Sequence, residues 1–137
     1  NIDFISCDRT GHKDRPSSFL RVFGNDVLNV FLFLLYGIRI HDSQSGMWVF
    51  KRELLTRMNL TSDTMAFSEE IKLEAFTLPN VRCKELVIYY KERHGESKLN
   101  IWRDGFANLA FLFKKRFGML QRVEPLIARD LNLKSKV

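Results

Sequence analysis

The sequence predicts an α/β domain. Short runs rich in aromatic and β-branched residues at 3–8, 47–50 and 84–90 have strand length, and apolar residues recur at helical spacing over 19–36 and 101–117. The 137 residues are 45% hydrophobic and 28% charged, a globular composition of about one domain's length. The strands are too few to close a full doubly wound sheet.

The elements follow in order. Residues 3–8, Asp-Phe-Ile-Ser-Cys-Asp, read as a strand. The chain opens inside that strand with no cap or turn ahead of it, so a preceding N-terminal part is expected. Residues 9–18 carry Gly11, Pro16, Ser17 and Ser18, which is loop chemistry. Apolar residues at 20, 23, 27, 28, 31, 34 and 35 predict a helix over 19–36, and Gly37 suits its C-terminal cap. Residues 41–46 form a polar loop, 47–50 a brief strand and 51–58 a short helix. Ser68 is expected to cap a further helix that runs to Leu78, before Pro79, with Glu69 and Glu70 in its first turn. Residues 84–90 are the clearest strand, 91–98 a charged loop around Gly95, and 101–117 a last strong helix. The segment after Pro125 is polar.

Several functions are disfavoured. No stretch approaches the roughly 18–20 apolar residues of a membrane span. Cys7 and Cys83 are too few for a disulfide framework, which favours a reducing compartment, and no secretory signal is visible. His12, His41 and His94 lack zinc-ligand spacing, and no phosphate-binding Gly-rich loop or dinucleotide fingerprint is present. No Asp-x-Asp pair occurs. Lys plus Arg exceed Asp plus Glu by 22 to 16, a net +6 that favours anionic partners. Nucleic acid is the weaker choice. The 12 Phe gather in apolar clusters (Phe19, Phe23, Phe31 and Phe33; Phe106, Phe111, Phe113 and Phe117) instead of alternating with cations. Those clusters serve either core packing or a greasy surface.

Three polar segments could carry chemistry. Arg21 and Asn25 share a helix face, and with Arg9 they could form a phosphate site; surface ion pairing and capping is the alternative. Asp42-Ser43-Gln44-Ser45-Gly46 is either a turn or a ligand-binding loop. Arg93-His94-Gly95-Glu96-Ser97-Lys98 could wrap a diphosphate or be a solvated loop. Glu69 and Glu70 fit a helix N-terminus, and a carboxylate there could also act as a base.

In this order, Arg9, Arg21-x-x-x-Asn25, Asp42-Ser43-Gln44-Ser45-Gly46-Met47, Phe67-Ser68-Glu69-Glu70-Ile71 and Tyr90-x-x-Arg93-x-Gly95-Glu96-Ser97-Lys98-Leu99 resemble the C-terminal half of family 2 glycosyltransferases, in the polyprenyl- and dolichyl-phosphate mannosyl- and glucosyltransferase branch. The resemblance implies a partial GT-A fold, Rossmann-like, with residues 1–118 as its acceptor-side portion and 119–137 as a polar tail. It implies inverting sugar transfer from a nucleotide diphosphate sugar to a polyprenyl or dolichyl phosphate, in glycan biosynthesis. Arg9, Arg21 and Asn25 would meet the acceptor phosphate, although Asn25 stands where such members often carry a small hydroxyl residue. Gln44, Ser45 and Asp42 would line the sugar and acceptor region, and Arg93, Ser97 and Lys98 would meet the donor diphosphate. Glu70 matches an acidic position that serves as base in many relatives, and it is assigned with Asp42 to catalysis.

Mg²⁺ or Mn²⁺ would be ligated mainly by an N-terminal half carrying Asp-x-Asp. The isolated chain would therefore not turn over donor. The stripe Phe106, Leu109, Ala110, Phe113 and Phe117, with Lys114, Lys115 and Arg116, could lie on an anionic membrane at its cytoplasmic face or pack on the domain. The competing readings are a same-fold enzyme with a saccharide hydroxyl acceptor, for which Glu70 becomes the base, and a non-catalytic basic binding module.

Overall fold

The computed structural model describes residues 1–11, 19–89 and 100–119, leaving aside the side chains of Arg21 and Ile101. The predicted loop at 91–98 and nearly all of the polar tail lie outside the described residues. The order is β1 (Phe4–Asp8), α1 (Phe19–Tyr36), β2 (Trp48–Phe50), a 3-10 turn (Arg52–Thr56), α2 (Phe67–Thr77), β3 (Cys83–Val87) and α3 (Ile101–Arg116). This is the mixed α/β class that the sequence predicts.

β1 is the central strand. It pairs antiparallel with β2, Phe4 opposite Phe50, and parallel with β3, Phe4 opposite Cys83 and Asp8 opposite Val87. A parallel pair needs a long crossover, which α1, β2 and α2 supply. Beyond the end of the pair Gly11 rests on Val87. A Cβ there would come within 2.6 Å of Val87 Cγ1, so a side chain would push the strand end away. β3, which overlaps the clearest strand by sequence, stands at the edge of the sheet among the described residues and ends at Val87, with Leu86 and Val87 both exposed.

Helix α2 sits between two cores. Ile71 and Ala75, one turn apart, face the sheet with Phe4, Leu54, Met58 and Leu60. Leu73 faces the other way and packs with Leu28 and Leu32 of α1 and Leu112 of α3. Because both sides are covered, Glu69, Glu70 and Lys72 are buried along with the apolar residues. Ser68 does not cap this helix. Ala66 precedes the first turn and accepts from Glu69 N and Glu70 N at 3.1 and 2.9 Å, which leaves Ser68 inside the helix. The preceding segment already turns through Thr64, whose carbonyl accepts from Phe67 N at 3.0 Å.

Helix α3 begins at Asn100, whose side chain accepts from Arg103 N at 3.1 Å. It is fastened to α1 by Tyr36 Oη donating to Leu112 O (2.9 Å) and Arg116 Nε donating to Leu35 O (2.9 Å). Phe31 and Phe113 meet edge to face, with centroids 5.7 Å apart. Phe19, Phe23 and Phe106 are exposed, so the aromatic clusters divide between core and surface. Leu112→Ala is expected to lower stability by about 2–5 kcal/mol, by opening a cavity among three helices. Phe106→Ala should change it by less than about 1 kcal/mol. Urea denaturation of both variants checks this.

Candidate functional site

The loop at 41–46 is the hub. Gly37, at φ +71°, ends α1, and its N–H donates to Phe33 O at 2.8 Å. The chain then turns back along α1. Asn25 and Asn29, one turn apart, both donate through Nδ2 to His41 O, at 3.1 and 2.8 Å. Asn29 Oδ1 accepts from Ser43 N (3.4 Å), and Asn25 Oδ1 accepts from Gln44 N (3.4 Å) and Ser43 Oγ (3.5 Å).

Three further elements grip the same loop. From α2, Lys72 Nζ donates to the carbonyls of Asp42 (2.7 Å) and Ser43 (3.2 Å). From α3, Asn108 Nδ2 donates to Gln44 Oε1 at 2.8 Å. From β3, Glu85 accepts from His41 N at 2.9 Å and pairs with His41 Nδ1 at 2.6 Å. That hydrogen bond and the Glu85 charge hold the exposed imidazole above its ordinary pKa. Ser45 is buried in the turn and accepts from Met47 N at 3.3 Å.

Held this way, Asp42 meets the end of β1. It is fully buried, and it accepts from Arg9 Nε (2.7 Å), Arg9 Nη2 (2.9 Å) and Arg9 N (3.1 Å). Burial would raise its carboxyl, but the Arg9 hydrogen bonds and charge outweigh burial and hold it below the ordinary carboxylate value. The Arg9 side chain keeps about a quarter of its surface exposed. Its guanidinium is fixed against the Asp42 carboxylate.

Two glutamates on successive positions have opposite environments. Glu70 accepts from Thr61 N (2.8 Å), Thr61 Oγ1 (2.6 Å), Ser62 N (2.8 Å) and Lys115 Nζ (2.6 Å), so its lone pairs tie α3 and the 61–62 segment to α2. Lys115 is itself nearly buried and also reaches Glu74 at 3.0 Å. Glu69 is fully buried, and neither carboxyl oxygen has a hydrogen-bond partner. Burial lifts its pKa to about 8; the Gln44 amide and the Lys72 charge pull the other way without cancelling this. The amide favours the anion while falling short of hydrogen-bond geometry.

The structure brings together Arg9, Asn25, Asp42, Gln44 and Ser45, all predicted from sequence. It directs Glu70 elsewhere, into the Thr61, Ser62 and Lys115 anchor. The Arg21 side chain and residues Arg93, Ser97 and Lys98 lie outside the described residues. Sequence reasoning missed Lys72 and Asn108. Asn108 stands one turn before the buried Leu112, and a polar residue at a core-facing position was its available signal. Lys72 gave none, since a lysine in a short helix ordinarily marks the solvent side. Among the described residues no three His, Cys, Asp or Glu side chains form a metal site, and both Asp42 oxygens are taken by Arg9.

No protein-family model matches the chain, and no solved structure does. The chain is 35% identical over 97 residues to a low-salt glycan biosynthesis hexosyltransferase of Haloferax volcanii, covering 71% of this chain and 23% of that protein. It is 31% identical over 105 residues to a dolichyl-phosphate hexose transferase of the same organism, covering 77% of this chain and 45% of that protein. It thus spans less than half the length of either relative. The chain is a glycosyltransferase-like protein, and its mixed α/β architecture is compatible with part of a glycosyltransferase fold. Its sequence kinship is with the dolichyl-phosphate hexosyltransferases, the branch that its motifs resemble.

The Glu69 pKa gives a signed prediction. A folded value near 8 against an ordinary 4.5 means the native state holds this proton more tightly. That contribution is full below about 4.5 and lost as pH rises through about 8. Glu69→Gln removes the titration, so its stability relative to wild type should rise steadily across that window. Denaturant melts at several pH values read the difference, and parallel curves would sink it.

Proposed function

We propose that the chain supplies the acceptor side of an inverting hexosyltransferase of GT-A fold, acting from a nucleotide diphosphate sugar on a dolichyl or polyprenyl phosphate. The observation that carries this reading is the Arg9 guanidinium, clamped by a fully buried Asp42 on a side chain that keeps about a quarter of its surface exposed. A fixed, always-charged fork suits a phosphate oxygen. The names of the two relatives support a hexose donor and, for one of them, a dolichyl-phosphate acceptor.

A lipid phosphate is already ionised near neutral pH. Its oxygen attacks the anomeric carbon, the bond from that carbon to the donor diphosphate breaks, and the nucleoside diphosphate leaves. No proton has to be removed first. That fits a Glu70 whose carboxylate is spent on four donors. The chain's task is to align two anions and offset their repulsion. Arg9 does so at the acceptor, and Arg21 would join it there by resemblance, while Asn25 holds the loop that carries Asp42. Arg93, Ser97 and Lys98 would do so at the donor, by resemblance. A bound Mg²⁺ or Mn²⁺ would add neutralising charge at the diphosphate, from ligands outside the described residues.

The N-terminal half of α1 and that of α3 leave an apolar groove lined by Leu20, Phe23, Val27, Trp102, Phe106 and Leu109. No helix among the described residues is long and apolar enough to cross a membrane. We place this face against the lipid surface from which the acceptor comes.

Two measurements test the reading. In the full-length protein, Arg9→Lys should lower hexose transfer to dolichyl phosphate by about tenfold or more, because one charge-assisted bond is worth about 1.5–3 kcal/mol. Glu70→Gln should reduce kcat only mildly once folding is matched. Near-complete loss there points to a hydroxyl acceptor. The membrane placement predicts that Trp102→Ser with Phe106→Ser releases the protein from anionic phosphatidylserine vesicles at low salt. Equal sedimentation of variant and parent would overturn that placement.

A further inference from the structure

We propose that Lys72 is a positioning residue, which sets the Asp42 loop from beneath so that Asp42 can hold Arg9 toward the acceptor phosphate. The inference rests on the phosphate reading of the site and goes beyond it to a residue that no motif marks.

Lys72 is fully buried, in the middle of α2 between Ile71 and Leu73. A helix residue in such a place would ordinarily be apolar. Its ammonium ends on two consecutive main-chain carbonyls, those of Asp42 and Ser43, at 2.7 and 3.2 Å. Those carbonyls belong to the residue whose side chain clamps Arg9 and to its neighbour. Lys72 thus fixes the backbone from one side while Asn25 and Asn29 fix it from the other. With the backbone held by these bonds, the Asp42 carboxylate meets Arg9 Nε, Nη2 and N.

The charges around Lys72 come from four places: Asp42 in the loop, Arg9 after β1, Glu85 on β3 and Glu69 on α2. Burial draws its pKa down to about 8, against the raising effect of Asp42, so at neutral pH it remains mostly cationic. The cation also places positive charge behind the Asp42 carboxylate, which leaves less of that negative charge to cancel Arg9. Lys72 donates to the loop carbonyls, so its effect on Arg9 passes through the loop.

The test uses the full chain with Lys72→Met, which keeps length and removes donors and charge, and Lys72→Arg, which keeps both. The first readout is the Arg9 Nε–H resonance. It should be slowly exchanging in wild type, lost or rapidly exchanging in the Met variant and recovered at least in part by Arg. Leu54→Ala, in the sheet-side core, is a destabilised control that should leave this resonance unchanged. The second readout is affinity for geranyl phosphate, with inorganic phosphate as a separate arm. It should fall about tenfold in the Met variant, a loss of about 1.4 kcal/mol. It should fall little further when the same change is made in Asp42→Asn, since the two residues act in series. An unchanged Arg9 resonance in Lys72→Met overturns the positioning role even if phosphate binds. Wild-type protein that binds neither probe overturns the phosphate reading, and with it the purpose assigned to Lys72.

Discussion

A carboxylate with no exposed surface must be met by donors, and Asp42 is met by three from Arg9. The rest of the site follows from that requirement. The loop carrying Asp42 has no regular structure of its own, so its backbone groups must be satisfied by side chains. Asn25 and Asn29 of α1, Lys72 of α2 and Glu85 of β3 do this, while Asn108 of α3 holds the Gln44 side chain. Three helices and a strand converge on six residues, and together they hold a buried carboxylate against Arg9.

The position of α2 explains why so much charge is buried. A helix covered on one side can turn its polar residues to water. Here Ile71 and Ala75 face the sheet while Leu73 faces α1 and α3, so little of the circumference is left for solvent. Each buried charge then needs its own arrangement. Glu70 has the backbone of 61–62 and Lys115. Lys72 has two carbonyls. Glu69 has no hydrogen bond and holds its proton instead, with a pKa of about 8. Adjacent residues of one type therefore meet burial in different ways because their surroundings differ.

The apolar groove and the polar loop lie on the same two helices. Leu20, Phe23 and Val27 of α1 line the groove, while Asn25 and Asn29 of the same helix hold the loop. An amphiphilic acceptor, with a charged head and a greasy tail, is the kind of molecule that such a division suits. Sequence kinship with hexosyltransferases, one of them named for dolichyl phosphate, agrees with that chemistry.

Local pattern made much of this legible. Helical spacing over 19–36 and Gly37 after it gave α1 with its end, because both depend on neighbours within a turn or two. The residues Arg9, Asn25, Asp42, Gln44 and Ser45 could be named because their types and order carry the motif. The sequence could not tell that β3 stands at the edge of the sheet among the described residues, since edge and centre differ only in which strands lie alongside. It could not separate Glu69 from Glu70, nor see that Lys72 points inward, because both facts arise from packing on the two sides of α2. Sequence determined which segments form elements and which residue types bear the chemistry. Tertiary structure decided which charges lose their water and which partners replace it, because burial depends on residues far apart in the chain.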